Sequence, residues 1–262
     1  MTSGIERIRI AGCPVDVCSA ETAVAELCRR INSRIQTHVV FVNAAKVVQY
    51  HRDPNLREVI EHADLLLADG MPIVWLSHIR GVPLPERVAG VDLMEKMIAV
   101  AAHQGYRVFL LGSKPQVVAR TAACFQSKYP GLRLAGYRDG YFVPSEEEQV
   151  CAQIRASQAD LVLVAMSTPQ KEIWGARHLH RLDVSVCQGV GGGFDVVAGV
   201  NKRAPQWMQT IGLEWVYRLL QEPSRMWKRY LFSNTLFILF SIRDLCFGFR
   251  ERERRPAPAS SD

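Results

Sequence analysis

A chain of 262 residues with 48% hydrophobic content is long enough to bury a large core and too apolar to be a disordered polar segment. Its net charge of +6 is concentrated at one end: residues 225 to 255 hold eight Lys or Arg against three Asp or Glu, so the rest is close to neutral. That excludes a general nucleic-acid binder and points the C-terminal end toward an anionic partner, either a membrane surface or a polyphosphate. Seven scattered cysteines (Cys13, Cys18, Cys28, Cys124, Cys151, Cys187 and Cys246), with no Cys-x-x-Cys pair, read as reduced, mostly buried thiols of a cytoplasmic protein. The opening Met1-Thr2-Ser3-Gly4-Ile5-Glu6-Arg7 has no basic region followed by an apolar one, so no signal peptide is expected.

In chain order, strands are predicted at Val39 to Val42, Leu65 to Ala68, Arg107 to Leu111, Leu132 to Ala135, Leu161 to Ala165 and Val184 to Cys187. Helices are predicted near 54 to 62, 91 to 104, 115 to 128, 145 to 157 and 169 to 180. Near-continuous apolar strands divided by helices predict α/β architecture, a doubly wound, mostly parallel sheet with helices on both faces. This domain is expected to run from residue 1 to about 205. From 206 to 262 a basic helical appendage follows, with a disordered tail from about 250. Within it Pro223 is placed to start a fresh helix. The apolar run Leu231 to Ile242 is twelve residues, short of the ~20 that span a bilayer, so an interfacial segment is expected, against a core-packing or dimer-forming helix. At helical spacing Arg225, Lys228, Arg229 and Phe232 share a face that would hold cations and a ring at headgroup level.

Candidate chemistry sits where strands end. Asn43 follows the first strand, as a ligand contact or a helix cap. Asp69 follows Leu65-Leu66-Leu67-Ala68, where a carboxylate faces the ligand crevice of an open α/β sheet or, before Gly70, caps a helix. Arg87 lies eighteen positions on, in Leu84-Pro85-Glu86-Arg87-Val88-Ala89-Gly90. Gly112 and Ser113 close a strand and open a helix, so their amides and hydroxyl suit phosphate or ribose oxygens, although any β-to-α turn has the same look. In Met166-Ser167-Thr168-Pro169-Gln170-Lys171-Glu172, Pro169 is expected at the first helical position with Thr168 as cap. Gln170 and Lys171 would then point into the crevice, unless Lys171 is simply solvated. The run Gly189-Val190-Gly191-Gly192-Gly193-Phe194-Asp195 lets backbone approach a diphosphate, with Asp195 accepting from a sugar or base, or it is a bulge and tight turn. Phe194 breaks the Gly-x-Gly-x-x-Gly dinucleotide fingerprint. Asp-x-Asp, a P-loop, His-x-x-x-His and Gly-x-Ser-x-Gly are all absent, so Arg, Lys and amides are expected to offset any diphosphate charge.

Several segments occur together in order: Asn43-Ala44-Ala45-Lys46, Ala68-Asp69-Gly70, Arg87-Val88-Ala89-Gly90-Val91-Asp92-Leu93, Pro169-Gln170-Lys171-Glu172, Gly189-Val190-Gly191-Gly192, Lys202-Arg203-Ala204-Pro205 and Gly212-Leu213-Glu214-Trp215-Val216-Tyr217-Arg218-Leu219-Leu220. With these the chain resembles the WecG/TagA/CpsF family of bacterial glycosyltransferases from about residue 38 to about 230. The resemblance implies an inverting, metal-independent transfer of a hexose or N-acetylhexosamine-type sugar, with no cofactor, from a UDP-sugar donor to a polyprenyl-diphosphate-linked sugar acceptor. The setting it implies is the inner face of the cytoplasmic membrane, where such transfer serves polysaccharide synthesis. It further implies that Asp69 is the catalytic base and Arg87 a substrate or leaving-group contact, with Arg203 in a matching motif. Arg218, Arg225 and Lys228, at matching positions of the appendage, would close over the site and meet the lipid diphosphate. The family commonly shows Pro-Lys-Gln-Glu where this chain has Pro169-Gln170-Lys171-Glu172, and some members have Thr where it has Phe41. No nucleic-acid partner is expected, and a homo-oligomer is compatible with all of this. The rival readings are a membrane-tethered nucleotide-binding protein without catalysis and an NAD-dependent epimerase or dehydrogenase.

Overall fold

Two antiparallel strands that the sequence reading did not foresee, β1 (Arg7–Ile10) and β2 (Cys13–Asp16), form a hairpin ahead of the sheet. The computed structural model describes residues 4–210, 212–221 and 223–247. The hairpin turns through Ala11 and Gly12, both at positive φ (49° and 78°), with Ala where such turns usually carry Asn or Asp. Pro14 inside β2 also disguises the strand. A buried ion pair fixes the hairpin in place: Arg7 Nε donates to Asp16 Oδ1 (2.7 Å), and Asp16 Oδ2 accepts the Leu66 amide (2.8 Å). Helix α1 (Ala20–Asn32), also unforeseen, follows, capped by the Ser19 hydroxyl.

Six parallel strands then form the predicted sheet: β3 (Thr37–Val42), β4 (Leu65–Ala68), β5 (Arg107–Gly112), β6 (Arg133–Arg138), β7 (Leu161–Ala165) and β8 (Val186–Gly189), in the order β4-β3-β8-β7-β5-β6. The last strand starts at Val186, not Val184, because the Ser185 and Val186 amides are both taken by the Asp160 carbonyl. The connecting helices are α2 (Ala44–Arg52), α3 (Pro54–His62), α4 (Met71–Ile79), α5 (Gly90–Gln104), α6 (Pro115–Lys128), α7 (Glu147–Ala156), α8 (Gln170–Leu182) and the short α9 (Gly193–Val197). Of these α2, α4 and α9 lie outside the predicted helix ranges, although the capping alternatives at Asn43 and Asp69 imply helices at α2 and α4; α4 is almost wholly apolar and so shows no helical stripe.

Alternate residues of each strand serve opposite layers, as a two-faced parallel sheet requires. Val39, Phe41, Leu65, Leu67, Leu110 and Leu163 pack with α1, α5 and α6. Val40, Val42, Leu66 and Ala68 pack with the hairpin and α2 to α4, and Phe109, Leu111, Val162 and Val164 with α7 and α8. From β5 the chain moves outward to β6, and from β7 inward to β8. The reversal between these neighbours is a topological switch point, where such sheets can bind ligands at the carboxyl ends; β4, which ends at Asp69, is the edge strand, three strands from β7.

Beyond residue 205 come α10 (Gln206–Thr210), α11 (Glu214–Gln221) and α12 (Pro223–Phe247), the last starting at Pro223 as predicted. One face of α12 packs on α2: Phe237 is 7% exposed within the same core as Val42 and Ile60, a burial that stabilises by about 1.5 to 3 kcal/mol. The opposite face leaves Leu231, Ile238, Ile242 and Leu245 about half exposed. The core-packing reading of this segment therefore holds for one face of it. Among the described residues no helix is long and apolar enough to cross a membrane.

Candidate active site

The carboxyl end of β4 is tied to its surroundings by backbone. The Asp69 amide donates to the Val42 carbonyl (2.8 Å), and the Val88 amide donates to the Ala68 carbonyl (2.8 Å). The second bond seats the loop carrying Arg87 on the strand end carrying Asp69. Gly70, not Asp69, occupies the N-cap position of α4. For Asn43 the cap is what the structure has: its Oδ1 accepts the Lys46 amide at 3.0 Å. A Cβ on Gly70 would come within 3.3 Å of the Asn43 Cβ, so the ends of β3 and β4 are closely packed.

Four cations and their acids gather around this strand end. Arg87 Nη1 meets Glu214 Oε2 at 3.0 Å, and its Nη2 lies 3.9 Å from Asp92. Arg203 pairs with Asp92 through both η nitrogens, one at 2.7 Å, and this hydrogen bonding raises its pKa further, with Glu214 and Asp69 adding to the effect. A cavity of about 430 Å³ opens beside Arg87, between the start of α1 and the start of α5. Glu214 and Asp92 both lie in the quoted motifs, but their partnership with the arginines was invisible in the sequence.

Lys171 departs from expectation. Pro169 takes the cap position and α8 starts at Gln170, one residue later than predicted, so the Thr168 hydroxyl caps no amide; it accepts a hydrogen bond from Lys171 Nζ. Lys171 is buried and not solvated, with its ammonium 2.8 Å from Glu172 Oε1, while the ammonium of Lys46 contacts the same oxygen. Burial, and next the charge of Lys46, push the Lys171 pKa down to about 8, against the pull of Glu172 and Asp69. For Glu172 burial works upward, but the two lysines outweigh it and hold the carboxyl at about 2. Gln170 is exposed and accepts a hydrogen bond from the Ser167 hydroxyl (2.6 Å). The sequence reading quotes Lys46 and Glu172 within motifs but gives neither a role. The available signal was a charge in the first turn of a helix opening at the crevice, present in both.

The glycines are explained by what passes beneath them. A Cβ on Gly189 would meet Lys171 Cδ at 3.2 Å, and one on Gly191, at φ 52°, would lie 3.9 Å from its Cε, so the loop lies over the lysine stem. Gly192 caps α9, and Asp195 sits in its first turn with a pKa raised mainly by burial. Across the crevice Gly112 has φ 118°, and a Cβ there would fall 2.6 Å from the Ala165 carbonyl carbon. Ser113, at the strained φ of 56°, donates its amide to Ala165 (2.8 Å) and accepts from the Gly140 amide (3.0 Å). Gly112→Ala is therefore expected to cost about 2 to 4 kcal/mol by strain and overpacking combined, read as a fall in urea midpoint. An unchanged midpoint would contradict this account of the crevice floor.

Asp69, Arg87, Arg203 and Lys171 thus come together, with Asn43 at the adjoining turn. Gly112 and Ser113 lie at the end of β5, on the far side of β7 and β8. The side chains of Arg218, Arg225, Lys228 and Arg229 lie outside the described residues. Among those described, no group of three or more His, Cys, Asp or Glu is placed to hold a metal ion. A family model, "Glycosyl transferase WecG/TagA/CpsF family", matches residues 8–251, nearly the whole chain. With its parallel sheet and its motif residues converging at one strand end, the chain belongs to the WecG/TagA/CpsF family of glycosyl transferases.

Proposed function

We propose that the protein transfers a hexose or N-acetylhexosamine-type sugar from a UDP donor to a polyprenyl-diphosphate-linked sugar, with inversion and without a required metal. The observation that supports this reading is the Val88 to Ala68 bond, which joins the loop of Arg87 to the strand end that precedes Asp69, whose charge bears on Arg203 and Lys171. Asp69 takes the proton of the acceptor hydroxyl as that oxygen bonds to the anomeric carbon. The bond from that carbon to the phosphate oxygen breaks, and UDP leaves with the electron pair. Arg87 and Arg203 stabilise the charge gathering on the departing diphosphate. Glu214 and Asp92, which hold these guanidiniums, yield them to the donor. Gly112, Ser113, Gly191, Gly192 and Asp195 receive the nucleotide, and Gln170 lies at the exposed rim.

The acceptor arrives from the inner face of the cytoplasmic membrane. There the exposed apolar face of α12 meets lipid, and Arg218, Arg225, Lys228 and Arg229 meet the lipid diphosphate. Thermal-shift measurement with UDP, UDP-sugars and NAD tests the ligand class, since a ligand of the native state raises stability by mass action. Stabilisation by UDP and its sugars is expected; stabilisation by NAD alone would assign the crevice to a dehydrogenase or epimerase.

A further inference from the structure

A second cavity, of about 400 Å³, lies where the β1–β2 turn, the junction of α2 with α3, and the last turns of α12 meet. It shares no residue with the Asp69 crevice, so either reading stands without the other. Its walls are fixed in advance by three segments far apart in the chain. The Ala11 amide donates to Asp244 Oδ2 (2.7 Å), and the Ala11 carbonyl accepts from His51 Nε2 (2.7 Å). The His51 ring packs on Phe240 with centroids 4.3 Å apart, and a Cβ on Gly12 would meet that imidazole at 3.1 Å. The left-handed conformation of Ala11 is thus held by α12 and α2, since the turn sequence does not favour it.

The charge in this cavity is unbalanced. Asp244 Oδ2 meets Arg80 (3.1 Å) and the Ala11 amide while its Oδ1 is buried without a hydrogen-bond partner, and Arg9 is paired with Glu61 through both nitrogens (2.9 and 3.1 Å). Arg57 is oriented by the carbonyls of Tyr50 (3.0 Å) and His51 (2.8 Å) and by the Tyr50 ring, 5.5 Å away, none of which neutralises it. Arg243 is exposed at the opposite wall. Among the described residues no carboxylate pairs with either. Two guanidiniums approaching from different helices suit a tetrahedral anion, which offers oxygens in both directions, better than a carboxylate, which matches one fork.

We propose that this cavity binds a phosphate ester, with Arg57 and Arg243 on the phosphate oxygens and the His51 and Phe240 rings against its organic part. Arg243 follows Ile242, so at ~100° per residue the cavity lies at the border of the exposed apolar face of α12. That neighbourhood favours a lipid headgroup as the source over a soluble ester.

The test uses the full chain and its Arg57→Gln/Arg243→Gln variant in two measurements: stabilisation by glycerol phosphate, and co-sedimentation with phosphatidylglycerol vesicles. Removing the two charges is expected to weaken glycerol phosphate binding at least about tenfold and to reduce vesicle binding. Arg243→Gln alone, at an exposed position, guards against a folding defect and is expected to show part of the same loss. A response to glycerol phosphate with unchanged vesicle binding would support the site and assign it to a soluble ester. Indifference of both measurements to both variants would overturn it.

Discussion

Asp69→Asn is expected to lower turnover by about 10² to 10⁴-fold while leaving the fold intact, the contribution of a general base in proton transfer. The substitution keeps the shape of the side chain and the Asp69 amide bond to Val42 that closes the end of β4. The N-cap position of α4 is Gly70, which the substitution leaves unchanged. What changes is charge: the carboxylate that acts on Lys171 and Arg203 becomes a neutral amide with no proton affinity at neutral pH. Turnover near the wild-type value would remove Asp69 from the mechanism. A lowered melting temperature would return it to a structural role.

The second large effect concerns Glu172. It is 2% exposed and shared by two buried ammoniums, so Glu172→Gln leaves Lys46 and Lys171 without a counter-charge at an expected cost of about 3 to 5 kcal/mol. The wild-type pH dependence follows from the same cluster. The folded-state pKa of Glu172, about 2, lies below the unfolded value of ~4.3. Its contribution is thus fully present above pH ~4.3 and lost as pH falls toward 2, on the order of 3 kcal/mol in all. Lys171 acts in the opposite range. Its folded pKa of about 8 lies below the unfolded ~10.4, so the unfolded chain binds more protons between them and stability rises with pH across that window. Urea unfolding from acid to alkaline pH should show both limbs. In Glu172→Gln the acid limb should shrink and the alkaline limb start at lower pH, since Lys171 loses the carboxylate that supports its proton. An unaltered profile would mean that the three charges are not coupled.

The sheet was legible because its strands are buried on both faces and read as continuous apolar runs; Leu65–Ala68 and Leu161–Ala165 are predicted and observed alike. The hairpin was not, since its turn lacks the usual residues and is held by Asp244, more than two hundred positions away. Asp69 and Arg87 could be picked out because strand ends and glycine punctuation mark the crevice. Their setting could not. Lys46 meets Glu172 across 126 positions and Arg87 meets Glu214 across 127, pairings that only the folded chain creates. The apolar run of α12 shows the same limit: Phe237 and Ile238 are neighbours in sequence, yet one enters the core and the other faces outward.

The central claim is sugar transfer from UDP with inversion, and the direct measurement is of the product. A panel of UDP-sugars incubated with a short-chain polyprenyl-diphosphate-linked sugar should release UDP with one of them and yield a lengthened lipid whose new anomeric centre, read by NMR, is opposite to that of the donor. Retained anomeric configuration, or UDP release without a glycosylated lipid, would contradict it.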